Sequence, residues 1–309
     1  MRVLITGWFA FPNGEATAGD VGAARTVSAA LHSAGIEHDI AWSPMFRNDG
    51  PTLAEADPDD YDHLVFVCGP AHGWQVRRLH ERFARCTRIA VGVSVIDPDD
   101  DAVRGFHTVI ARDRPGGIAL PDLATAAPRE PSVPVVGIVT APAQPEYGHL
   151  SGHTEIHDRL SEWIVTKDCA RVPLDTRLDT RDWRHCATTA QFDSLLRRID
   201  LVVTTRLHGL VLALRNGVPA IAVDPVIGGA KVRAQARAFG WPVIVVDRPG
   251  DPPPPRRLDE LWNRFLSPAA RGAVDGDATS RPWSAQLVDE LLDRLTRALP
   301  LEEYAAGSG

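Results

Sequence analysis

Apolar runs that are typical of buried strands alternate with segments of helical periodicity along this chain, and this alternation limits its fold more than any other feature. In the first half, apolar runs rich in branched residues occupy 2–6, 37–43, 61–69, 88–95 and 106–113. Segments with helical spacing occupy 21–35 and 74–86. Strand and helix signals in this order predict a mostly parallel sheet with helices on both of its faces.

The same alternation resumes in the second half of the chain. Predicted strands occupy 133–141, 201–205, 220–224 and 243–247. Predicted helices occupy 154–165, 207–216 and 230–240, and the stretch 182–199 is predicted to hold another helix. A chain of 309 residues favours two cores over one. The sequence therefore predicts an α/β protein with two Rossmann-like, doubly wound parallel-sheet domains.

A proline-rich stretch at 121–134 separates the halves, as expected for a domain boundary. The predicted domains are residues 1–125 and 135–280, joined by a linker at 126–134 and followed by a C-terminal helix and tail at 281–309. The prolines of 251–257 predict a rigid spacer.

Composition excludes several classes of function. A net charge of −7 and a pI near 5.9 argue against a nucleic-acid surface or a polybasic membrane patch. The chain has no charged and apolar leader and no run of about eighteen apolar residues, so we expect a cytoplasmic protein without an integral membrane segment. Its four cysteines are widely spaced, which predicts free thiols rather than a metal site or disulfides. A small-molecule partner is the expectation that remains, and the oligomeric state stays open.

The segment 204–225, "TTRLHGLVLALRNGVPAIAVDP", places Arg206 and His208 between a predicted strand and a predicted helix. The carboxyl end of a strand is where open α/β sheets bind ligands, and the free N–H groups of a helix start favour an anion. The guanidinium of Arg206 suits a carboxylate or a phosphate. The alternative interpretation is an arginine capping a surface loop with the histidine packed beneath it.

Lysine is scarce, because arginine supplies nearly all of the positive charge and Lys167 and Lys231 are the only lysines. A site that needs a compact ammonium resists replacement by arginine. Both lysines are therefore candidate functional residues.

The segment 204–225, followed by "GGAKVRAQARAFGW", resembles the C-terminal signature of the polysaccharide pyruvyltransferase family. The resemblance rests on four features: Arg-x-His after a strand, the segment "NGVPAIAV", Asp224, and Lys-Val-Arg at the start of the next helix. It implies a two-domain fold like that of GT-B glycosyltransferases, with its halves facing a cleft. It also implies transfer of pyruvate from phosphoenolpyruvate to a sugar, with formation of a ketal. The chain departs from the family pattern at Thr17, at 68–70 and at Gly116, all in the half expected to hold much of the acceptor.

The donor chemistry gives these residues their predicted roles. Arg206, Lys231 and Gly209 are predicted to bind the carboxylate and phosphate of the donor. His208 is predicted to act as the general acid or base, and Asp224 as a second catalytic residue that orients its neighbours. We expect no metal and no cofactor, because phosphoenolpyruvate is itself the donor substrate and a sugar-containing molecule is the acceptor.

Other candidates for substrate contacts lie outside this motif. Gly19 and Asp20 precede the first helix and either present N–H groups to a ligand or provide an N-cap at Asp20. Arg112 either contacts substrate or forms a structural ion pair with Asp113. Trp8, Phe9 and Phe11 form either a platform for an acceptor or part of the core.

Histidines recur every four residues at His149, His153 and His157, a spacing that on one continuous helix suggests a metal site. Neighbouring glycines interrupt such a helix, and Thr154 is predicted as the N-cap, which leaves only His157 helical. A loop that contacts phosphate through His149 and His153 is the favoured interpretation.

Two rival functions stay open. A glycosyltransferase using a nucleotide sugar shares the architecture and requires a ribose-binding carboxylate, for which Asp224 and Asp247 are candidates. A non-catalytic binding protein on the same fold is the other.

Overall fold

The computed structural model describes residues 1–12, 16–47, 50–251, 253–267 and 283–298. The chain divides into two compact units, Met1–Pro131 and Ser132–Gly309. This division falls inside the predicted linker at 126–134.

The first unit is built on a five-stranded parallel sheet. Its strands are β1 (Arg2–Thr6), β2 (Glu37–Ile40), β3 (His63–Val67), β4 (Thr87–Ser94) and β5 (Thr108–Asp113). Its helices are α1 (Ala18–Ser33), α2 (Trp74–Arg82) and the short α3 (Asp101–Arg104). The strand order is β2-β1-β3-β4-β5.

The second unit holds another five-stranded parallel sheet, in the order β10-β9-β8-β6-β7. Its strands are β6 (Val135–Val139), β7 (Ala170–Pro173), β8 (Leu201–Thr204), β9 (Ala220–Asp224) and β10 (Val243–Val245). Its helices are α4 (His153–Ile164), α5 (Thr189–Leu196), α6 (Leu207–Arg215), α7 (Lys231–Ala238), α8 (Pro255–Phe265) and α9 (Trp283–Ala298). None of the described helices is both long and apolar enough to cross a bilayer.

Both sheets have the same topology when strands are counted within each unit, namely 2-1-3-4-5. In this order the second strand lies on one side of the first strand, and the third, fourth and fifth strands follow on its other side. The resulting switch point lies between β1 and β3 in the first unit and between β6 and β8 in the second. Ligands of doubly wound sheets bind beyond the carboxyl ends of the strands at this point.

The central strands of the second sheet are buried on both faces, which explains their uninterrupted apolar sequences. Alternate residues serve two cores: Val203 and Ile221 belong to one cluster, and Val202 and Ala222 belong to the other. The first unit has one large cluster built around β1, β3 and β4. These findings confirm the predicted class of two doubly wound α/β domains.

Among the elements that differ from the sequence prediction are α8, β7 and α1. Helix α8 begins at Pro255, inside the predicted spacer, because proline fits the first turn of a helix. The edge strand β7 was not predicted, since its four residues form no apolar run. Helix α1 begins at Ala18, three residues earlier than predicted. Residues 299–309 of the predicted tail lie outside the described residues.

Candidate functional site

The turn after β8 is fixed by a buried threonine. Thr204 Oγ1 donates to the carbonyl of Val139 at 2.8 Å and accepts from the backbone N–H of Arg206 at 2.9 Å. The hydroxyl thus ties the end of β8 to the end of β6, on the two sides of the switch point. Arg206 consequently leaves the sheet at the position where such folds bind ligands.

Gly209 lets the first turn of α6 pack closely on these strand ends. A Cβ at this residue would lie 2.2 Å from Thr204 Oγ1 and 3.1 Å from Val139 Cγ1. The glycine is buried, and this contact requires it whether or not a ligand binds. Its predicted donor contact stays a prediction.

Arg206 occupies the N-cap position of α6, where no side chain caps the helix. Its Nη1 donates to Asp175 Oδ1 at 2.6 Å, and its Nε and Nη2 make no hydrogen bond to any described residue. Asp175 could not be recognised as the partner of Arg206 from the sequence, because 31 residues separate the two. The ion pair holds the guanidinium in place and leaves part of its donor fork free.

His208 lies in the first turn of α6 and is exposed. Its ring makes no hydrogen bond or ion pair with the described part of the chain. The packed-histidine alternative is therefore wrong.

Asp224 ends β9 and is fully buried. Its Oδ1 accepts from the N–H of Val226 at 3.0 Å, and its Oδ2 accepts from those of Ala230 and Arg233 at 2.8 and 2.7 Å. The carboxylate therefore shapes the loop after β9 and caps the start of α7. Its oxygens are thus occupied by backbone N–H groups, and its predicted catalytic role and its candidacy as a ribose ligand stay predictions. Asp247 follows β10 and is exposed, so it stays a candidate ribose ligand.

The two lysines have different surroundings. Lys167 Nζ donates to Asp259 Oδ1 at 2.6 Å and lies over the ring of Trp163, so it forms a structural ion pair. Lys231 is the first residue of α7, is exposed, and pairs with no acid among the described residues. Its Nζ lies 5.9 Å from the centroid of the Tyr147 ring.

The histidine segment differs from its prediction. Gly152 is the N-cap of α4 and His153 its first residue, so the predicted N-cap at Thr154 is wrong and both His153 and His157 are helical. The helix starts earlier because Gly152 N–H pairs with the carbonyl of Pro225 at 2.9 Å, which anchors it to the loop after β9. His149 lies before this point in the 3₁₀ segment Pro145–Leu150 and is exposed.

His153 is buried, with Nδ1 at 2.9 Å from Ser151 Oγ and with no hydrogen-bond partner for Nε2 in the structure. Burial lowers the pKa of His153, and the charge of Lys231 lowers it further. His157 Nε2 lies 2.9 Å from Thr205 Oγ1, and burial together with the neighbouring His153 lowers the pKa of His157. Both imidazoles are therefore held toward the neutral form.

A continuous series of contacts joins Lys231 to the Arg206 turn. From Lys231 it passes through Tyr147, whose ring centroid lies 6.5 Å from that of His153, and then to His157 at 6.2 Å. His157 contacts Thr205, the residue before Arg206. These contacts connect the start of α7, at Lys231, to the turn before α6, and Tyr147 and Thr205 take part in them. The sequence feature that could have identified Thr205 is the pair of threonines at the end of a buried strand.

Asp20 belongs to the capping box of α1 in the first unit. Thr17 is the N-cap, and Asp20 is the third helical residue, which corrects the predicted N-cap at Asp20. The Asp20 carboxylate also accepts from Cys68 Sγ at 2.9 Å. Gly19 is exposed within α1, and a Cβ there would meet only Thr17 Oγ1 at 3.7 Å, so packing does not require a glycine.

Arg112 makes the ion pair that the sequence analysis left open. Its Nε donates to Asp113 at 2.8 Å, its Nη2 donates to Ser94 Oγ at 2.6 Å, and its Nη1 pairs with Asp122. The guanidinium ties the ends of β4 and β5 to the segment that follows them. Contact with a substrate stays a prediction for this residue.

Of the three aromatic residues after β1, Phe9 is fully buried and Phe11 is nearly so, whereas Trp8 is partly exposed. All four cysteines are free thiols. Within the described ranges, no three His, Cys, Asp or Glu side chains lie close enough together to hold a metal ion.

Comparisons with known proteins add a family resemblance. The model of the polysaccharide pyruvyl transferase family matches residues 168–225, which include Arg206, His208, Gly209 and Asp224 and exclude Lys231. The match confirms the resemblance seen in the sequence over this part of the second unit. No curated protein matches the chain.

Solved structures similar to this chain include sugar-modifying enzymes at low identity. A glycotransferase of kitacinnamycin is 14% identical over 95% of this chain and 98% of its own, with a TM-score of 0.33. A UDP-GlcNAc 2-epimerase from Methanocaldococcus jannaschii is 10% identical over 95% and 100%, with a TM-score of 0.35. A spinosyn forosaminyltransferase is 13% identical over 96% and 99%, with a TM-score of 0.32.

Proposed function

We propose that this protein transfers pyruvate from phosphoenolpyruvate to a pair of hydroxyls on a sugar or glycoconjugate. The observation that carries the proposal is the group of incompletely paired cationic and titratable side chains around the uncapped start of α6. The family match over residues 168–225 supports the same reaction.

The donor carries a carboxylate and a phosphate, and the second unit offers binding groups for both. The start of α6 has no side-chain cap, so its first N–H groups, including that of Gly209, are available to an anion. Arg206 adds its free donors to one anionic group, and Lys231 binds the other as a compact charge. The start of α7 is already capped by Asp224, which favours the start of α6 as the main anion site.

The reaction forms two C–O bonds to C2 of the donor and one C–H bond at C3, and it breaks the C2–O bond to phosphate and the π bond between C2 and C3. Of the two hydroxyl protons that the acceptor loses, one goes to C3 and one leaves with phosphate. His208 is exposed beside the anion site and is the group that we assign to proton transfer.

We assign Asp224 a positioning role, because its carboxylate holds the loop that leads to Lys231. His153 and His149 flank this loop, and the unpartnered Nε2 of His153 is the stronger candidate for a hydrogen bond to the donor. In the first unit, Asp20 and Arg112 contribute to structure through the contacts described above. Substrate contacts by Gly19, Asp20 and Arg112 stay predictions.

The test is thermal stabilisation by phosphoenolpyruvate and by UDP-sugars, each without divalent metal. We expect phosphoenolpyruvate to raise the melting temperature of the parent and to lose this effect with Arg206→Gln. Arg237→Gln, which removes an exposed charge from the last turn of α7, is the matched control and should respond like the parent.

A response to UDP-sugars alone contradicts the proposal and favours the glycosyltransferase alternative, with Asp247 as the ribose ligand. Stabilisation by phosphoenolpyruvate without release of phosphate, across a broad panel of glycosides, favours the non-catalytic alternative.

A further inference from the structure

A cavity of about 720 Å³ opens in the first unit at the switch point of its own sheet. Trp8, which follows β1, and Gly69 and Pro70, which follow β3, line one part of it. Trp74 and Arg78 of α2 line another. The volume suits a small organic ligand, and the position is the one where doubly wound sheets bind ligands.

The aromatic wall of this cavity is held in place by the surrounding backbone. Trp8 Nε1 donates to the carbonyl of Pro70 at 3.0 Å, and the ring meets Phe11 edge-on with 5.4 Å between centroids. Gly69 has a φ of +67°, and a Cβ there would lie 2.3 Å from Trp8 Cδ1. The glycine thus provides both the turn and the space that the indole fills. A flat apolar ligand therefore meets a wall that needs no rearrangement.

Helix α2 brings a third aromatic ring and a free positive charge to the cavity. Trp74, Arg78 and Arg82 are four residues apart, so they share one face of the helix. Trp74 is 61% exposed, although burial of its large ring is favourable. Arg82 donates to the carbonyls of Ala54 and Ala56, whereas Arg78 is exposed and pairs with no described residue.

The polar groups of the lining limit the kind of ligand. The indole N–H of Trp8 and one terminal nitrogen of Arg82 are already bonded to backbone carbonyls, and the rings of Trp8, Phe11 and Trp74 make the lining suited to an apolar body. Asp20 also lines the cavity, and its carboxylate accepts from Thr17 and Cys68. The charged side chains of the lining are Asp20, Arg78 and Arg82, which together carry one net positive charge, and Arg78 is the cation among them that has no hydrogen bond to a described residue.

We propose that this cavity binds a molecule with a flat apolar body and one anionic group. The body lies against Trp8, Phe11 and Trp74, and the anion pairs with Arg78. The proposal of a binding site depends only on the cavity and its lining. Its assignment to the non-sugar part of the acceptor rests on the proposed function.

The test is calorimetric titration of the full chain with three probes: 2-naphthoate, its neutral analogue 2-naphthamide, and acetate. Naphthoate should bind most tightly, naphthamide more weakly, and acetate not measurably. Arg78→Gln should weaken naphthoate about three- to tenfold, the range for one exposed charge pair with a hydrogen bond, and leave naphthamide unchanged. Trp74→Ala should weaken both naphthyl probes. Arg77→Gln is the control, because Arg77 belongs to the same helix but does not line the cavity.

The proposal is overturned if naphthoate fails to bind the parent. It is also overturned if Arg78→Gln and Trp74→Ala bind naphthoate as tightly as the parent does. Phosphoenolpyruvate titrated into the same preparation separates the two ideas. Naphthoate binding without phosphoenolpyruvate binding supports the cavity and overturns the proposed function, and the reverse result overturns the cavity site alone.

Discussion

Replacing Asp224 with asparagine separates a structural carboxylate from a catalytic one. The buried side chain accepts three backbone hydrogen bonds, one on Oδ1 and two on Oδ2. An asparagine keeps one acceptor oxygen, which serves Ala230 and Arg233 best when it takes the Oδ2 position. Its amide NH₂ then faces the N–H of Val226, and two donors are left without an acceptor.

The cost follows from these contacts. A hydrogen bond to a charged group contributes about 1.5–3 kcal/mol, and a buried N–H left unsatisfied costs about 1–3 kcal/mol. Because such terms overlap, we expect Asp224→Asn to lower the free energy of unfolding by about 2–4 kcal/mol. In a unit of this size each kcal/mol corresponds to about 2–4 °C, so the melting temperature should fall by roughly 4–16 °C.

Urea unfolding followed by tryptophan fluorescence measures this loss, and a titration with phosphoenolpyruvate measures the displacement of Lys231. Asp247→Asn is the control, because an exposed aspartate on the same sheet edge should change stability by about 0.5 kcal/mol or less. If Asp224→Asn unfolds like the parent and binds donor like the parent but has lost turnover, the carboxylate acts on the reacting atoms and the positioning argument is refuted.

Four further predictions follow from the same contacts. Lys231→Arg should weaken phosphoenolpyruvate binding roughly tenfold to a hundredfold in a titration, because the planar fork does not reproduce a compact ammonium; unchanged affinity would make this lysine a remnant of composition. His208→Ala should keep donor binding and lower turnover by about two to four orders of magnitude in a phosphate-release assay. The lowered pKa of the partly buried His157 should make the parent lose stability as the pH falls below about 6.5, because the unfolded state then takes up a proton that the folded state resists. Urea unfolding at pH 7.5 and 5.5 should show a smaller loss for His157→Gln. Gly209→Ala should cost about 1–3 kcal/mol in the same unfolding assay, whereas Gly19→Ala in open helix should stabilise by about 0.5–1 kcal/mol.

The sheets were largely predictable from the sequence because their central strands are buried on both faces. Such strands must be largely apolar, so "LVVT" in β8 and "AIAVD" in β9 can be recognised as strands from the sequence. The edge strand β7 gives no such signal, because most of its residues are exposed. The start of helix α8 was not predicted, because the prolines that suggest a spacer also fit the first turn of a helix.

The site was predictable only in part, because several of its contacts join distant residues. The position of Arg206 and His208 between a strand and a helix was sufficient to place them at a strand end. The partner of Arg206 is Asp175, and that of Thr205 is His157, 48 residues away. No local pattern encodes these pairs. The register of the sheet and the packing of α4 bring them together.

The charged residues differ most in whether the chain itself supplies their partners. Arg112 and Lys167 resembled functional residues in the sequence, yet each is paired with acids of its own unit. Lys231 and Arg78 have no such partner among the described residues; Lys231 begins the helix after β9, and Arg78 lines the cavity of the first unit. Removing a paired charge leaves its partner unsatisfied and therefore reduces stability, whereas removing an unpaired one leaves the fold intact and reduces ligand binding. Stability and affinity measured on the same variants should therefore divide these residues into two groups, in a way that residue type alone does not.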